Sequence, residues 1–344
     1  MATIRSIAER ANVSIATVSK VLNGKNGVKE ETRQLILNVA HELKYHPNLN
    51  ARSLKSGRAY TIGIIAEDIT VFNTPNIIDG IAQACDRANY HYILANLRLF
   101  KRFGHHMPDE ATHMAIFKDA VSVLLSKQVA GILYVGSHSH VVNFLAELTE
   151  VPIVCAYCTS PTLTSVIYDD EKAGYDLTEC LLRHGDTRIG MITGPMESPH
   201  STNRSRGHMR ALYAHSVPYD PTLTLPGDWE RDSGFAYAKT LIDAGVTAIF
   251  AHNDIMALGV LDYCNAHGID VGKDLRLIGF DNRDISLVTR PRLSTVLPPL
   301  NEIGQTAAAE LLRIMDGGSQ EAKVIQLSCK IIERESTLGT EAAP

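Results

Sequence analysis

From Tyr60 onward the sequence alternates short β-branched runs, near 61–66, 92–95, 131–135, 152–156, 189–193, 248–251 and 276–280, with stretches whose apolar residues recur at helical spacing. No other feature constrains the chain so tightly. Strands joined through helices must run parallel, so the pattern predicts an α/β core of doubly wound parallel sheet with helices on both faces. Two such βα series predict two similar lobes, and in open sheets of this kind ligands bind beyond the carboxyl ends of the strands. A cleft between the lobes is the expected site.

The segment before Tyr60 is built differently. Residues 1–58 carry ten Lys or Arg against four Glu, and the remainder holds 23 against 34, so a net charge of -5 conceals a basic head and an acidic body. That split fits a head that meets a polyanion, or simply a basic solvated helix pair. Thr3 is placed to cap a helix bearing Ile4, Ile7, Ala8 and Ala11; Asn12-Val13 breaks it; Ser14 caps a second with Ile15, Val18, Val21 and Leu22, which Asn23-Gly24 ends. A third helix runs from about Glu30, turns Ile36, Val39, Ala40 and Leu43 inward, and stops before Pro47. Three short helices with a tight turn between the first two form a helix-turn-helix, whose second helix can enter the major groove. There Ile15, Ala16 and Lys20 would reach base edges, while Thr17, Ser19 and Asn23 suit phosphates. Residues 48–56 are long enough only for a marginal helix that orders on a partner, or for a plain linker.

The head resembles that of the lactose/galactose-repressor (LacI/GalR) family of bacterial transcription regulators. The resemblance lies in Thr3-Ile-Arg-Ser-Ile-Ala-Glu-Arg-Ala-Asn-Val-Ser, in Thr17-Val-Ser-Lys-Val-Leu-Asn23, and in Tyr45-His-Pro-Asn48 followed by Ala51-Arg52-Ser53-Leu54. It continues through Ile62-Gly-Ile-Ile65, Asp79-Gly-Ile81, Val129-Ala-Gly-Ile132, Arg188-Ile-Gly190, Arg204-Ser-Arg-Gly207, Gly227-Asp-Trp229, Ala251-His-Asn-Asp254, Ile278-Gly-Phe-Asp281, Leu293-Ser-Thr-Val296 and Glu333-Arg-Glu-Ser336. The resemblance implies a helix-turn-helix domain at 1–46, a hinge helix at 47–58 and a two-lobed, periplasmic-binding-protein-like core at 59–344. Its first lobe would take about 60–157 and 292–328, its second about 158–291 and 329–340. Two hinge helices of a homodimer would pair in the minor groove of a palindromic double-stranded DNA operator, Asn48, Ala51 and Arg52 lying on the DNA and Leu54 wedging between base pairs. A small-molecule effector, a sugar or sugar derivative, would bind between the lobes. Carried over residue by residue, its contacts fall on Arg204, Trp229, Asn253 and Asp281, with Phe72 and Asn73 closing the other side and Ser137 at a strand end nearby. The bland alternatives are a surface helix for Arg204, a strand-end cap for Asp281 and core packing for Trp229.

Some residues depart from the family pattern. Lys20 stands where Arg is commoner, weakening bidentate reading of guanine to a point-charge contact. Tyr157 stands where Asp is frequent, and Pro298 where some sugar-binding members have Gln. Residues 97–111, with Arg98, Lys101, Arg102, His105 and His106, read as a longer basic loop, either variable surface or reaching the cleft.

Other chemistry is not expected. No apolar stretch approaches the roughly 18 residues of a membrane helix, and no leader precedes Glu9, so a cytoplasmic protein with reduced cysteines is expected. Cys155-Ala-Tyr-Cys158 lacks a second pair, and the five-residue step from His41 to His46 turns the two rings apart on a helix. The His105, His106 and His113 group reads as a histidine-rich loop. Neither a phosphate loop nor a nucleophile motif occurs. The expectation is a regulator rather than an enzyme, without cofactor, metal or membrane partner. A transport-type sugar-binding protein, the other rival, would need export and no basic head. No heptad helix follows Ser336, which favours a dimer over a tetramer.

Overall fold

The computed structural model describes residues 3–22, 26–45, 59–104 and 108–339. Two compact units divide the chain at Ala59/Tyr60. In the first, α1 (Ile4–Ala11), α2 (Ile15–Leu22) and α3 (Glu30–Glu42) enclose Ile7, Ala8, Ala11, Val18, Val21, Ile36, Val39 and Ala40. Local chemistry sets the ends. Thr3 Oγ1 accepts from Ser6 N at 3.2 Å while Ser6 Oγ accepts from Thr3 N at 2.9 Å, a reciprocal cap that satisfies two donors of the first turn. Asn12 closes α1 at a φ of 50°, and Ser14 Oγ accepts from Thr17 N at 3.1 Å to open α2. Arg10 of α1 pairs with Glu42 of α3 at 3.1 Å. Asn23 and the expected hinge residues Asn48, Ala51, Arg52 and Leu54 lie outside the described residues.

The second unit carries two parallel sheets. The larger joins β1 (Thr61–Ala66), β2 (His91–Asn96), β3 (Ile132–Val135), β4 (Ile153–Ala156), β5 (Ser165–Tyr168) and β11 (Val324–Leu327) in the order β11-β5-β4-β3-β1-β2. The smaller joins β6 (Ile189–Thr193), β7 (Thr224–Pro226), β8 (Ala248–Ala251) and β9 (Arg276–Ile278) as β7-β6-β8-β9. Both faces of β1 are covered, which explains its unbroken apolar run: Ile62, Ile64 and Ala66 meet Ile77, Ile81, Ile303 and Ala307, whereas Ile65 meets Phe117, Val121 and Leu124. These partners come from α4 (Thr74–Ala88), α6 (Glu110–Ser126) and α12 (Leu300–Met315).

Three departures from the sequence reading have physical reasons. The expected lobe boundary at 157 falls short of β5, four residues that pair with β4 and β11 and keep the larger sheet running to Tyr168. Helices follow most but not all strands: after β4 the chain turns directly into β5, so no helix intervenes there. Nor is the basic segment 97–111 simply loop. It contains α5 (Leu99–Phe103), anchored by buried Leu97 and Leu99 and by a 3.1 Å bond from Lys101 N to Asp68 Oδ2.

The chain passes between lobes three times. It leaves β5 for α7 (Asp170–Arg183), returns from β9 past the short α11 (Ile285–Val288) through β10 (Thr295–Leu297), and leaves β11 for β12 (Lys330–Ile332), which pairs antiparallel with β10. Three helix pairs stiffen the lobes: α4 with α12, α7 with α8 (Pro199–Ala214), and α9 (Arg231–Asp243) with α10 (Asp254–His267). Each meets through facing glycines. A Cβ on Gly80 would lie 2.0 Å from the Asn301 carbonyl oxygen, and one on Gly304 2.0 Å from that of Ile77; Gly174 with Gly207 and Gly234 with Gly259 repeat the arrangement. Backbone cannot retreat as a side-chain tip can. Gly80→Ala should therefore destabilise the core by about 1–3 kcal/mol despite the better helix propensity of Ala, as a lowered urea midpoint. An unchanged midpoint would show that α4 and α12 can separate freely.

Candidate functional site

In the head, α2 presents Ile15 with 53% of its surface exposed, beside exposed Ala16 and Lys20. Val18 and Val21 take the opposite face into the core, so helical period alone fixes which residues face outward. Thr17 and Ser19 are half-buried; the Thr17 hydroxyl lies 2.8 Å from that of Ser14, and the hydroxyls of Thr3 and Ser14 serve the caps already described. The exposed face presents one cation and two apolar side chains.

In the core, the carboxyl ends of both sheets converge at the chain crossings. Arg204 of α8 is 2% exposed yet fully partnered: Nε donates to Asp170 Oδ1 at 2.8 Å, Nη2 to the Tyr168 hydroxyl at 2.9 Å, and Nη1 to the His252 carbonyl oxygen. Its guanidinium carbon lies 3.4 Å from the centre of the Phe280 ring. Asp170 also meets His200 Nδ1 at 2.7 Å, and although burial works against its charge, His200 and Arg204 hold its carboxyl below the usual range. This network is buried machinery, not a surface helix.

Around it stand the other expected contacts. Asn253 caps α10, its Oδ1 accepting from Met256 N at 2.8 Å while Nδ2 donates to the Trp229 carbonyl at 2.9 Å. Trp229, half-buried at a φ of 73°, lays its indole on Gly194, where a Cβ would come within 2.1 Å of the ring. Asp281, half-buried at a φ of 102°, donates its backbone N–H to the Val296 carbonyl at 2.9 Å. Burial pushes its carboxyl up to about 8, and that of the neighbouring Asp254 to about 7.

On the first lobe, Phe72 is 38% exposed and faces the Arg283 guanidinium at 4.9 Å, a contact made between the lobes. Asn73 is buried and donates from Nδ2 to the Ser137 carbonyl at 2.9 Å. Ser137 turns its hydroxyl to Glu67 Oε2 at 2.7 Å. Tyr157 is buried with its ring tilted against the stacked rings of Tyr168 and His200, its hydroxyl 3.4 Å from that of Tyr168. His200 Nε2 accepts from Ser139 N at 3.1 Å and so ties α8 to the loop after β3.

The sequence reading missed Glu67, Tyr168, Asp170, His200, His252 and Asp254. Asp170 and His200 carry a signal: an acidic run at a strand-to-helix junction and a histidine just inside a Pro-started helix. His252 is wholly buried, and both ring nitrogens lack a protein partner.

Comparisons with known proteins fit this architecture. Residues 3–48 match the lacI family of bacterial regulatory proteins, and residues 178–337 match the periplasmic binding protein-like domain. Catabolite control protein A of Priestia megaterium is 33% identical over 343 residues, 97% of this chain and 99% of that protein. The HTH-type transcriptional repressor CytR of Escherichia coli is also 33% identical, over 98% of this chain and 96% of that one. The Lac repressor dimer bound to operator and the anti-inducer ONPF superposes with a TM-score of 0.75 at 25% identity, over 98% of this chain and 99% of that one. The CelR–cellobiose complex gives 0.65 at 26% identity, over 98% and 100%.

The raised carboxyl of Asp281 has a measurable consequence. In the unfolded chain an aspartate ionises near 3.9, so between about pH 4 and pH 8 the folded state holds a proton that the unfolded state has released, and stability falls as pH rises through that window. Asp281→Asn removes this proton difference. In urea melts from pH 5 to pH 8, wild type should lose stability relative to the variant by up to about 1.4 kcal/mol per pH unit. A difference constant with pH would mean that Asp281 stays ionised throughout.

Proposed function

As a chain that belongs to the lacI family of bacterial regulatory proteins, and hence a DNA-binding transcriptional regulator, this protein has a premise from which we propose the rest: a homodimeric repressor of a palindromic operator, controlled by a sugar-like effector held between its two core lobes. On the DNA side, exposed Ile15, Ala16 and Lys20 would read base edges from the major groove, with Thr3, Ser14, Thr17, Ser19 and Asn23 toward phosphates. Asn48, Ala51 and Arg52 would follow the backbone, and Leu54 would enter the minor groove.

One observation carries the effector half. At the carboxyl ends of the second lobe's strands a carboxyl (Asp281), an amide (Asn253), a guanidinium (Arg204) and an indole (Trp229) converge, donors and acceptors for hydroxyls beside an aromatic face for the apolar side of a sugar ring. Arg204 and Asn253 already spend most of their hydrogen bonds on the protein, so they orient the site, while burial raises the Asp281 carboxyl toward its protonated form, which would donate to a ligand oxygen. Phe72, Asn73, Ser137 and Tyr157 would close the first-lobe side, Asn73 and Tyr157 from buried positions. The ligands in the related Lac repressor and CelR structures support the same class of effector. The lobes meet through discrete contacts at three crossings, so closure on a ligand would change the spacing of the first lobes in a dimer, and effector and operator would affect each other's affinity by one common factor.

Two measurements test this. Titration of mono- and disaccharides, phosphorylated sugars and sugar acids should change Trp229 emission saturably for one compound, with Trp229→Phe as the blank; silence across the panel, in calorimetry too, would remove the sugar-like effector. Fluorescence polarisation on an operator selected from a random pool should fall steeply with salt, and Lys20→Ala should reduce the log–log slope by about one if its contact is to phosphate, or relax preference at one base pair if it reads an edge. An unaltered slope and an unaltered preference would take Lys20 out of the interface.

A further inference from the structure

A second constellation lies on the first-lobe side of the cleft and is not needed by the effector reading. Glu67, directly after β1, has no exposed surface. Its Oε2 accepts from Ser137 N and Ser137 Oγ, each at 2.7 Å, and its Oε1 accepts from the Tyr134 hydroxyl at 2.7 Å. His140 Nε2 stands 2.9 Å from that same Oε1, and His113 Nε2 4.0 Å from it.

Hydrogen-bond accounting places the ring hydrogens of the two half-buried histidines. His140 Nδ1 lies 2.9 Å from the His138 carbonyl, which can only accept, so Nδ1 carries a hydrogen, and in the neutral ring Nε2 holds the lone pair. The single proton of the Ser137 hydroxyl goes to Glu67, so His138 Nδ1, 3.1 Å from Ser137 Oγ, must donate, which leaves its Nε2 as a lone pair too. His140 Nε2 is buried and makes no hydrogen bond of acceptable geometry, yet it faces an ionised carboxylate at contact distance. Two lone pairs cannot face each other so: either a proton on Nε2 or a metal cation must stand between them. The rings of His138 and His140 are stacked, centroids 4.6 Å apart, and one donor atom from each histidine and one from Glu67 all lie within 4.8 Å of one another.

We propose that Glu67, His138 and His140 bind one late first-row divalent cation, with zinc as its representative. Two imidazoles and one carboxylate are zinc ligands, whereas magnesium and calcium prefer an all-oxygen shell. Bonds of about 2.0–2.2 Å place tetrahedral ligand atoms about 3.3–3.6 Å apart, so His140 Nε2 and Glu67, now 2.9 Å apart, would part by about half an ångström to admit the ion. The supporting bonds are the kind that orient metal ligands: a backbone carbonyl on the far nitrogen of His140, a hydroxyl on that of His138, and Tyr134 and Ser137 on the carboxylate. The loop that carries both histidines also makes the Ser139–His200 contact between the lobes, so the cluster lies beside that junction. A second grouping, Cys180, His184 and Glu333, lacks these features. Its thiol is pushed by burial up to about 12, and His184 Nε2 is already bound to Glu333 Oε2 at 2.6 Å.

The test uses the full chain, stripped by a chelator and dialysed. Calorimetric titration with zinc should give one site per chain, weakened at least about tenfold by His138→Ala or His140→Ala and lost in the double variant. The site should survive His184→Ala and the paired His105→Ala, His106→Ala substitutions. Cobalt at the same site should give visible absorption that zinc displaces. Should the variants fail to fold, wild-type protein answers by itself: zinc should protect His138 and His140 from acylation by diethyl pyrocarbonate, read by mass spectrometry. Absence of uptake at micromolar zinc, binding that survives the double variant, or equal acylation with and without zinc would each overturn the proposal and leave His140 as a protonated partner of Glu67.

Discussion

A buried guanidinium holds the centre of this protein together. Arg204 has left water entirely, which is tolerable only because a carboxylate, a hydroxyl and a carbonyl take its protons and an aromatic face covers its plane. Its partners come from both lobes: Tyr168 at the end of the larger sheet, Asp170 at the start of α7, His252 at the end of the smaller sheet. The ion pair therefore stands where the chain first passes from one lobe to the other. Breaking such a pair from one side strands a desolvated charge, and the positions of Asp170, His200 and the β8 terminus, and through them the cleft wall, depend on its being intact.

The rest of the core divides into parts that cannot yield and parts that can. Within a lobe, paired helices touch backbone to backbone through facing glycines and leave no clearance for sliding. Between lobes the contacts are of a different kind, made by side chains: Phe72 against Arg283, Ser139 to His200, Tyr168 to Arg204 and Phe280, and the chain passages themselves. Relative movement, where it occurs, is confined to these junctions, so the strand ends that line the cleft move as two walls, not as many independent loops.

Much of this was legible in the sequence because it is written in local periodicity. The head helices followed from caps and a 3.6-residue repeat, and β1, β6 and β8 from apolar runs that both faces demand. The fragments that escaped, β5, β7, β10, β11 and β12, are three or four residues long, and their pairing is decided by partners far away in sequence, as Ser165–Tyr168 with Val324–Leu327. The same limit applied to the cleft. Arg204, Trp229, Asn253 and Asp281 could be placed by resemblance, and the structure gathers them at one set of strand ends. Their partners Tyr168, Asp170 and His200 sit elsewhere in the sequence, and the helix-start signals at Asp170 and His200 do not say that the two side chains meet. Residues 97–111 looked like loop because their charges are conspicuous, whereas buried Leu97 and Leu99, which give the segment its anchor, are not.

The threading of the first lobe bears on how the molecule is made. Its sheet ends in β11, and one of the helices covering it, α12, comes from the same late part of the chain. On the ribosome, the three head helices emerge first and need only one another to bury their core. The lobe that follows them remains short of an edge strand and of a covering helix until nearly the whole polypeptide has been synthesised. The DNA-reading part of the molecule thus precedes, in time, the part that would restrain it, and a truncated translation product would carry the first without the second.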